Sequence, residues 1–314
     1  MTGKKLAKGI LATTAGALAL MTASHAAAQT YAEFAASCVG TANVACIAQI
    51  GDGNNTSIDQ SNADGSKAQV YIQGNNNGTG TIATIGNGAP VQLFKETVVV
   101  VPAASAPGKS DGHSQDGDKG QGDQHHQSDG KGNNKDAGAT TTQLVLTPAD
   151  RPITLPTNLP SGTITQRGSR NSAEVAILDG DDNDFYISQT GGNNQAYQRI
   201  TGDRNLAVII QQGELGARNS ASEIQSGANN IAYVKQTGGG NTANLSQDGN
   251  STILLEQENG FNTANLTQTG GANYIALRQT GGADISISQA GGRSIAIEQS
   301  AGTFGTSGLS VMQY

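Results

Sequence analysis

The chain has 314 residues, a formal net charge of −7, no Trp, five Phe and 43 Gly. So much glycine with so few large aromatic residues excludes a fold built around one broad hydrophobic core. An acidic chain without basic clusters is also a poor binder of nucleic acid.

Residues 1–28 read as a secretory signal peptide. Lys4, Lys5 and Lys8 form a basic start, and Gly9–Met21 is an apolar run of 13 residues. That is short of the ~20 residues needed to span a bilayer, which argues against a membrane anchor. Ala26, Ala27 and Ala28 supply a small-residue cleavage site. Losing this leader removes three Lys and no acid, so the net charge moves from −7 to −10.

Residues 29–89 carry the first copies of a repeat. Asn43-Val-Ala45-Cys-Ile47-Ala-Gln49 and Asn54-Asn-Thr56-Ser-Ile58-Asp-Gln60 place polar and apolar residues two apart, the strand period. Ser66–Ile72 follows with Ile72 in the glutamine place, and the pattern blurs from Thr81 to Ile85. Cys38 and Cys46 lie here, and in an exported chain a disulfide is the default. The register argues against it, since counting back from Gln49 puts Cys38 inward while Cys46 points outward. The bridge requires an irregular cap in place of the first strand.

Residues 90–160 break the period and are expected to form an insertion between two coils. Val91–Phe94, Thr97–Val101 and Thr142–Thr147 are strand-like, and Pro148, Pro152, Pro156 and Pro160 punctuate the return. Between them, 103–140 is a Gly/Asp/His-rich stretch in which Gly108–Gly138 holds one apolar residue, Ala137. Such a stretch is expected to be disordered. His113, His125 and His126 stand there among aspartates, without zinc or calcium spacing.

Residues 161–314 are the main array. The glutamine places are Gln166, Ile177 or Leu178, Gln189, Ile200, Gln211, Gln225, Gln236, Gln247, Gln257, Gln268, Gln279, Gln289, Gln299 and Gln313. Most steps are 11 residues. The step of 14 before Gln225 marks a bulged loop at Glu214–Gly216, and three steps of 10 put Ile253, Ile285 and Ile295 where Ala otherwise stands. Asp179–Asp184 begins like a calcium loop but lacks Gly at its sixth place and Glu at its twelfth, where Thr190 stands. A charged gatekeeper loop is the simpler reading.

Each unit is thus a strand and a turn. Two units make a coil of ~22 residues, and the chain is expected to be an all-β solenoid of stacked strand-turn-strand coils, about 18 strands in all. Stacking sets each Gln over a Gln and each Asn over an Asn, ~4.7–4.8 Å apart, so that inward amides satisfy one another. The expected self-assembly ladder is Gln49, Gln60, Gln166, Gln189, Gln211, Gln225, Asn230, Gln236, Asn241, Gln247, Gln257, Asn262, Gln268, Asn273, Gln279, Gln289 and Gln299. No catalytic, cofactor-binding or metal-binding residue is expected. Glu174, Glu223, Glu256 and Glu298 look scattered, and there is no nucleophile elbow or P-loop.

The unit Gln-x-Gly-x-x-Asn-x-Ala-x-x-x-Gln resembles the curlin repeat of bacterial surface fibres. Gln225–Gln236 and Gln236–Gln247 match it throughout, and Gln257–Asn262–Ala264–Gln268 matches with Gly260 shifted by one place. The resemblance implies export, passage through an outer-membrane secretion channel, a nucleating repeat protein as partner, and self-assembly into extracellular amyloid for adhesion and biofilm matrix. It implies no nucleic-acid partner, no cofactor and no membrane span in the mature chain. The competing expectation is a soluble ice- or carbohydrate-binding solenoid. The mixed outward residues Tyr233, Lys235, Asn244, Ser246, Tyr274 and Arg278 argue against one regular binding face.

Overall fold

A computed structural model describes residues 17–20, 30–40, 42–86, 88–101, 141–214, 216–300 and 308–313. The expected cleavage site and the histidines at 113, 125 and 126 lie outside these residues. The chain begins with β1 (Ala17–Leu20), α1 (Tyr31–Ser37), β2 (Val44–Ile50), β3 (Ser57–Asp64) and β4 (Lys67–Gln73). An excursion follows with β5 (Thr81–Ile82), β6 (Phe94–Val101), β7 (Thr141–Pro148) and β8 (Leu159–Pro160). The array then runs through β9 (Thr163–Ser169), β10 (Ser172–Leu178), β11 (Asp184–Thr190), β12 (Gln195–Thr201) and β13 (Leu206–Gln212). Next come β14 (Ser220–Ser226), β15 (Ile231–Thr237), β16 (Thr242–Asp248), β17 (Thr252–Glu258) and β18 (Thr263–Thr269). It closes with β19 (Tyr274–Thr280), β20 (Asp284–Ala290), β21 (Ser294–Ser300) and β22 (Leu309–Gln313).

Alternate strands enter two parallel sheets. Sheet A runs β1-β2-β4-β10-β12-β14-β16-β18-β20-β22, and the coil strands of sheet B run β3-β9-β11-β13-β15-β17-β19-β21. The result is an all-β solenoid of about nine turns with ~23 residues per turn. Within β16, Ala243, Leu245 and Gln247 are buried while Asn244, Ser246 and Asp248 are exposed, so period two in the sequence becomes inside and outside in space. The register locks like over like: Ala221, Ala243 and Ala264 stack, as do Gln225, Gln247 and Gln268. One apolar seam fills the interior, from Ala45 and Ile47 to Ile285 and Ile287.

The coil is left at Gly78 and rejoined at Gly162. Both have positive φ, +68° and +72°, and a Cβ on Gly78 would stand 2.7 Å from the Gly162 Cα. Glycine alone lets the two backbones meet this closely, so the solenoid continues across the excursion without losing a rung. The excursion's described parts fold back as a strap. β5 pairs antiparallel with β8, and Val91 bridges Ile153. Ile82, Ile85, Leu93, Ile153 and Leu155 then cover Val208, Tyr233, Leu254 and Ala276 on the outer face of sheet B. Glu96–Thr147 is a compact unit of its own, with β6 and β7 as its strands.

Cys38 and Cys46 are bridged, with their Cα atoms 6.0 Å apart. The register argument against the bridge fails because Tyr31–Ser37 is a helix, so Cys38 never occupies a strand position. Thr30 caps α1 in a reciprocal pair with Glu33. The helix lays Phe34 and Cys38 over the outward residues Val44, Cys46, Ala48 and Tyr71.

Candidate functional site: amide ladders and the ends of the stack

The sheet B glutamines form one unbroken chain of hydrogen bonds. Gln60 Nε2 donates to Gln166 Oε1, and the same bond repeats through Gln189, Gln211, Gln236, Gln257, Gln279 and Gln299. Central steps are 2.8 Å long, from Gln166 to Gln189 and from Gln236 to Gln257. The other amide proton goes across the coil to a backbone carbonyl, as from Gln236 to Ser220 and from Gln257 to Thr242. Each buried amide is thereby satisfied on both sides. Sheet A has a shorter ladder, Gln225–Gln247–Gln268–Gln289–Gln313. Above Gln225 its line is interrupted by Ile200, Ile177 and Ile72, all fully buried.

Of the glutamines expected in the ladder, Gln49 stands apart. Its strand neighbour is Ile72, and its Nε2 donates instead to Thr56 Oγ1. Gln225 has the complementary defect, because its Oε1 faces the Ile200 rung and finds no donor. Gln313 completes the sheet A row beyond the expected set.

Two further ladders line the corners. One joins Asn54, Asn77, Asn183, Asn205 and Asn230. The other joins Asn171, Asn194, Asn219, Asn241 and Asn262. After the first of each row, every Asn directs Nδ2 to the preceding Asn's Oδ1, and most also direct the backbone N–H there. Most of these asparagines lie outside the fully matched repeats, and their signal is the Asn two places before each inward Ala or its substitute. The shortened turns end both rows. Ser251, Ala283 and Arg293 replace Asn and offer only a backbone N–H, to Asn230, Asn262 and Asn273.

Polar residues also occupy the apolar seam. Gln198 and Glu223 sit inward on adjacent rungs where neighbouring coils place Val175 and Leu245. Gln198 Nε2 donates to Glu223 Oε2 at 2.9 Å, while Gln198 Oε1 and Glu223 Oε1 find no donor. Burial pushes the Glu223 carboxyl well above the usual carboxylate range, only partly opposed by the Gln198 hydrogen bond. On the outer face of sheet B, Lys235, Glu256, Arg278 and Glu298 share one column. The acids Glu256 and Glu298, far apart in the sequence, therefore flank one buried arginine. Arg278 is 2% exposed and bonds Glu256 at 2.8 Å, Glu298 at 3.3 Å and the strap carbonyl of Pro152 at 2.7 Å. It also donates to the Arg151 carbonyl. In the Asp179–Asp184 turn, Asp181 accepts the Asn75 backbone N–H at 2.6 Å, and Asp203 accepts that of Asp181 at 2.9 Å. These carboxylates act as turn braces between rungs.

This geometry defines a polymer-like class of protein: a parallel β-solenoid zipped by internal amide ladders. The chain carries the Curlin associated repeat at two segments, residues 161–191 and 216–249. That family is a structural one and not a family of enzymes. No curated protein and no solved structure matches the chain. Among the described residues no helix is long and apolar enough to cross a membrane.

Proposed function

We propose that this protein is a secreted structural subunit that self-assembles end to end into extracellular, curli-like amyloid fibres serving adhesion and biofilm matrix. One observation carries the reading: the glutamine ladder of sheet B runs without a break from Gln60 in β3, which begins the sheet, to Gln299 in β21, the last coil strand, which β6 follows in the sheet. A ladder with no internal stop is extended by another of the same period. The curlin repeat supports a surface location, export through an outer-membrane channel and a nucleating repeat protein as partner. The test is seeded fibrillation. The chain without its leader forms fibres after a lag, preformed fibres abolish the lag, and the fibre diffracts at ~4.7–4.8 Å along its axis. A chain that stays monomeric at high concentration overturns the proposal.

A soluble binding module is the second reading, and one observation favours it. Over β16, β18 and β20 two outer columns of sheet A are uncharged and hydroxyl- or amide-rich, with Asn244, Asn265 and Ser286 in one and Ser246, Thr267 and Ser288 in the other. Asn244 donates to Asn265 there at 2.9 Å. Glycan binding by a chain that forms no fibres decides for this reading.

A further inference from the structure

We infer that the outer face of sheet B, from β13 to β21, is a side-by-side association surface for a second copy of this chain. The strap occupies that face within one copy and so keeps copies from pairing across it. Such pairing runs across the coil axis and is a separate event from stacking along it.

The first observation is where the strap enters the coil. Gly78 donates its N–H to the Asn183 carbonyl at 2.7 Å, as Asp184 donates to Asn205 one coil later. Thr163 pairs with Tyr186. Gly78 therefore takes the place of Asp184, and Gly162 is left with the place of Phe185. Without 79–161 the rung reads Asn77-Gly78-Gly162-Thr163-Ile164-Thr165-Gln166. Asn, the apolar residue and Gln then stand at the spacing of Asn241, Leu245 and Gln247. The strap is an addition inside one complete repeat, and the coil does not need it to close.

The second observation is what the strap covers. Tyr186, Val208, Tyr233, Leu254 and Ala276 follow one another in an outward column of sheet B. The matching column of sheet A holds Asn244, Asn265 and Ser286. Under the strap, Val208, Tyr233, Leu254 and Ala276 are at most 2% exposed. Uncovered, they form a contiguous apolar patch of the kind that marks an interaction surface. The five strands β13, β15, β17, β19 and β21 have seven residues each. At ~4.8 Å between strands and ~3.3 Å per residue, they present about 550 Å² on each copy. Two such faces bury about 1,100 Å², against the ~1,000 Å² that a specific interface requires.

The third observation is charge, and it selects a second copy as the occupant. Lys235, Glu256, Arg278 and Glu298 alternate in sign along one column of this face. A two-fold axis lying along the strands between β17 and β19 sets the column against its own reversal. Lys235 then faces Glu298 of the second copy, and Glu256 faces its Arg278, so that each charge meets its opposite. In the single copy the strap carbonyls of Arg151 and Pro152 hold Arg278 instead.

The test is sedimentation of the chain without its leader, read before any fibre lag ends. Ile153→Asp/Leu155→Asp puts two charges at strap positions that are 0% and 7% exposed, and it changes no coil residue. A second variant joins Gly78 directly to Gly162 and lacks the strap altogether. Both are expected to form discrete pairs, at least tenfold more tightly than the parent. Lys235→Glu or Glu298→Lys, added to the opened strap, sets like charges opposite each other twice per pair. Each is expected to weaken pairing about tenfold or more, while an equimolar mixture of the two returns to within a few-fold of the opened chain. The inference is overturned if both strap variants stay as monomeric as the parent while keeping its β-rich circular dichroism. It is equally overturned if they associate regardless of these two charges, since uncovered apolar surface is then merely adhesive. A parent that never forms fibres overturns the self-assembly reading alone, because pairing is read before fibres grow.

Discussion

A single carboxyl group inside the coil seam ties the protein to pH. Glu223 and Gln198 already share one hydrogen bond, and the two atoms left without donors are the remaining oxygen of each. One proton on Glu223 satisfies both, closing an acid–amide pair with two parallel bonds. Its strand neighbours Gln198 and Leu245 bring no positive charge to favour the ionised form. The folded pKa is therefore raised above the unfolded one by burial. Below the unfolded value both states hold the proton and Glu223 costs nothing. As pH rises through that value, the unfolded chain releases its proton while the folded chain keeps it. Stability then falls by about 1.4 kcal/mol per pH unit until the folded pKa is reached. The solenoid should resist urea better at pH 5 than at pH 7, and Glu223→Gln should flatten that difference. Burial also raises Glu174 and Asp184, whereas hydrogen bonds lower Glu33 and Asp59, so the contrast between parent and variant is the clean measure. Equal pH slopes in the two chains would show that Glu223 is solvated in the folded state.

At the level of elements, the strap is bonded to sheet B by more than apolar contact. Arg278 reaches Glu256, Glu298 and two strap carbonyls from a position shut off from water. Replacing it with Met removes those donors and leaves Glu256 buried, with Lys235 at 3.8 Å as its one remaining cation among the described residues. Thermal or urea unfolding should show a loss of about 3–5 kcal/mol for Arg278→Met. Arg278→Met with Glu256→Leu should recover part of it, since the orphaned charge is then gone. A double variant no better than the single would mean that the strap carbonyls, and not the acid, account for the loss. This clamp also marks the boundary of what the sequence reveals. The coil is legible because Gln, Ala and the apolar residue between them recur at a local period, and each rung repeats the same side-chain problem. Tyr233, Leu254 and Arg278 follow that pattern as outward residues. Their cover comes from Ile82, Ile85, Leu93, Ile153 and Leu155, outside the repeat, and no period reports it. Cys38 misleads for a related reason: counting by elevens assumes a strand where a capped helix stands. The inward Gln198 and Glu223 are equally hidden, because they break the apolar column at a single level and leave the spacing untouched.

For the whole molecule, the formal net charge of −7, or −10 once the leader's lysines are gone, sets how copies meet. Like-charged chains repel over a distance of ~30 Å at 0.01 M salt and ~10 Å at 0.1 M. The inward face that stacked coils share is a different matter, being apolar residues and glutamines. Encounter should thus depend on salt, and the completed joint should not. Seeded elongation should speed up several-fold between about 10 and 150 mM salt, while the rate at which preformed fibres shed subunits into buffer stays level. Elongation that slows with added salt would mean that opposite charges draw the ends together, and would place the joint on a surface other than the glutamine-lined edge.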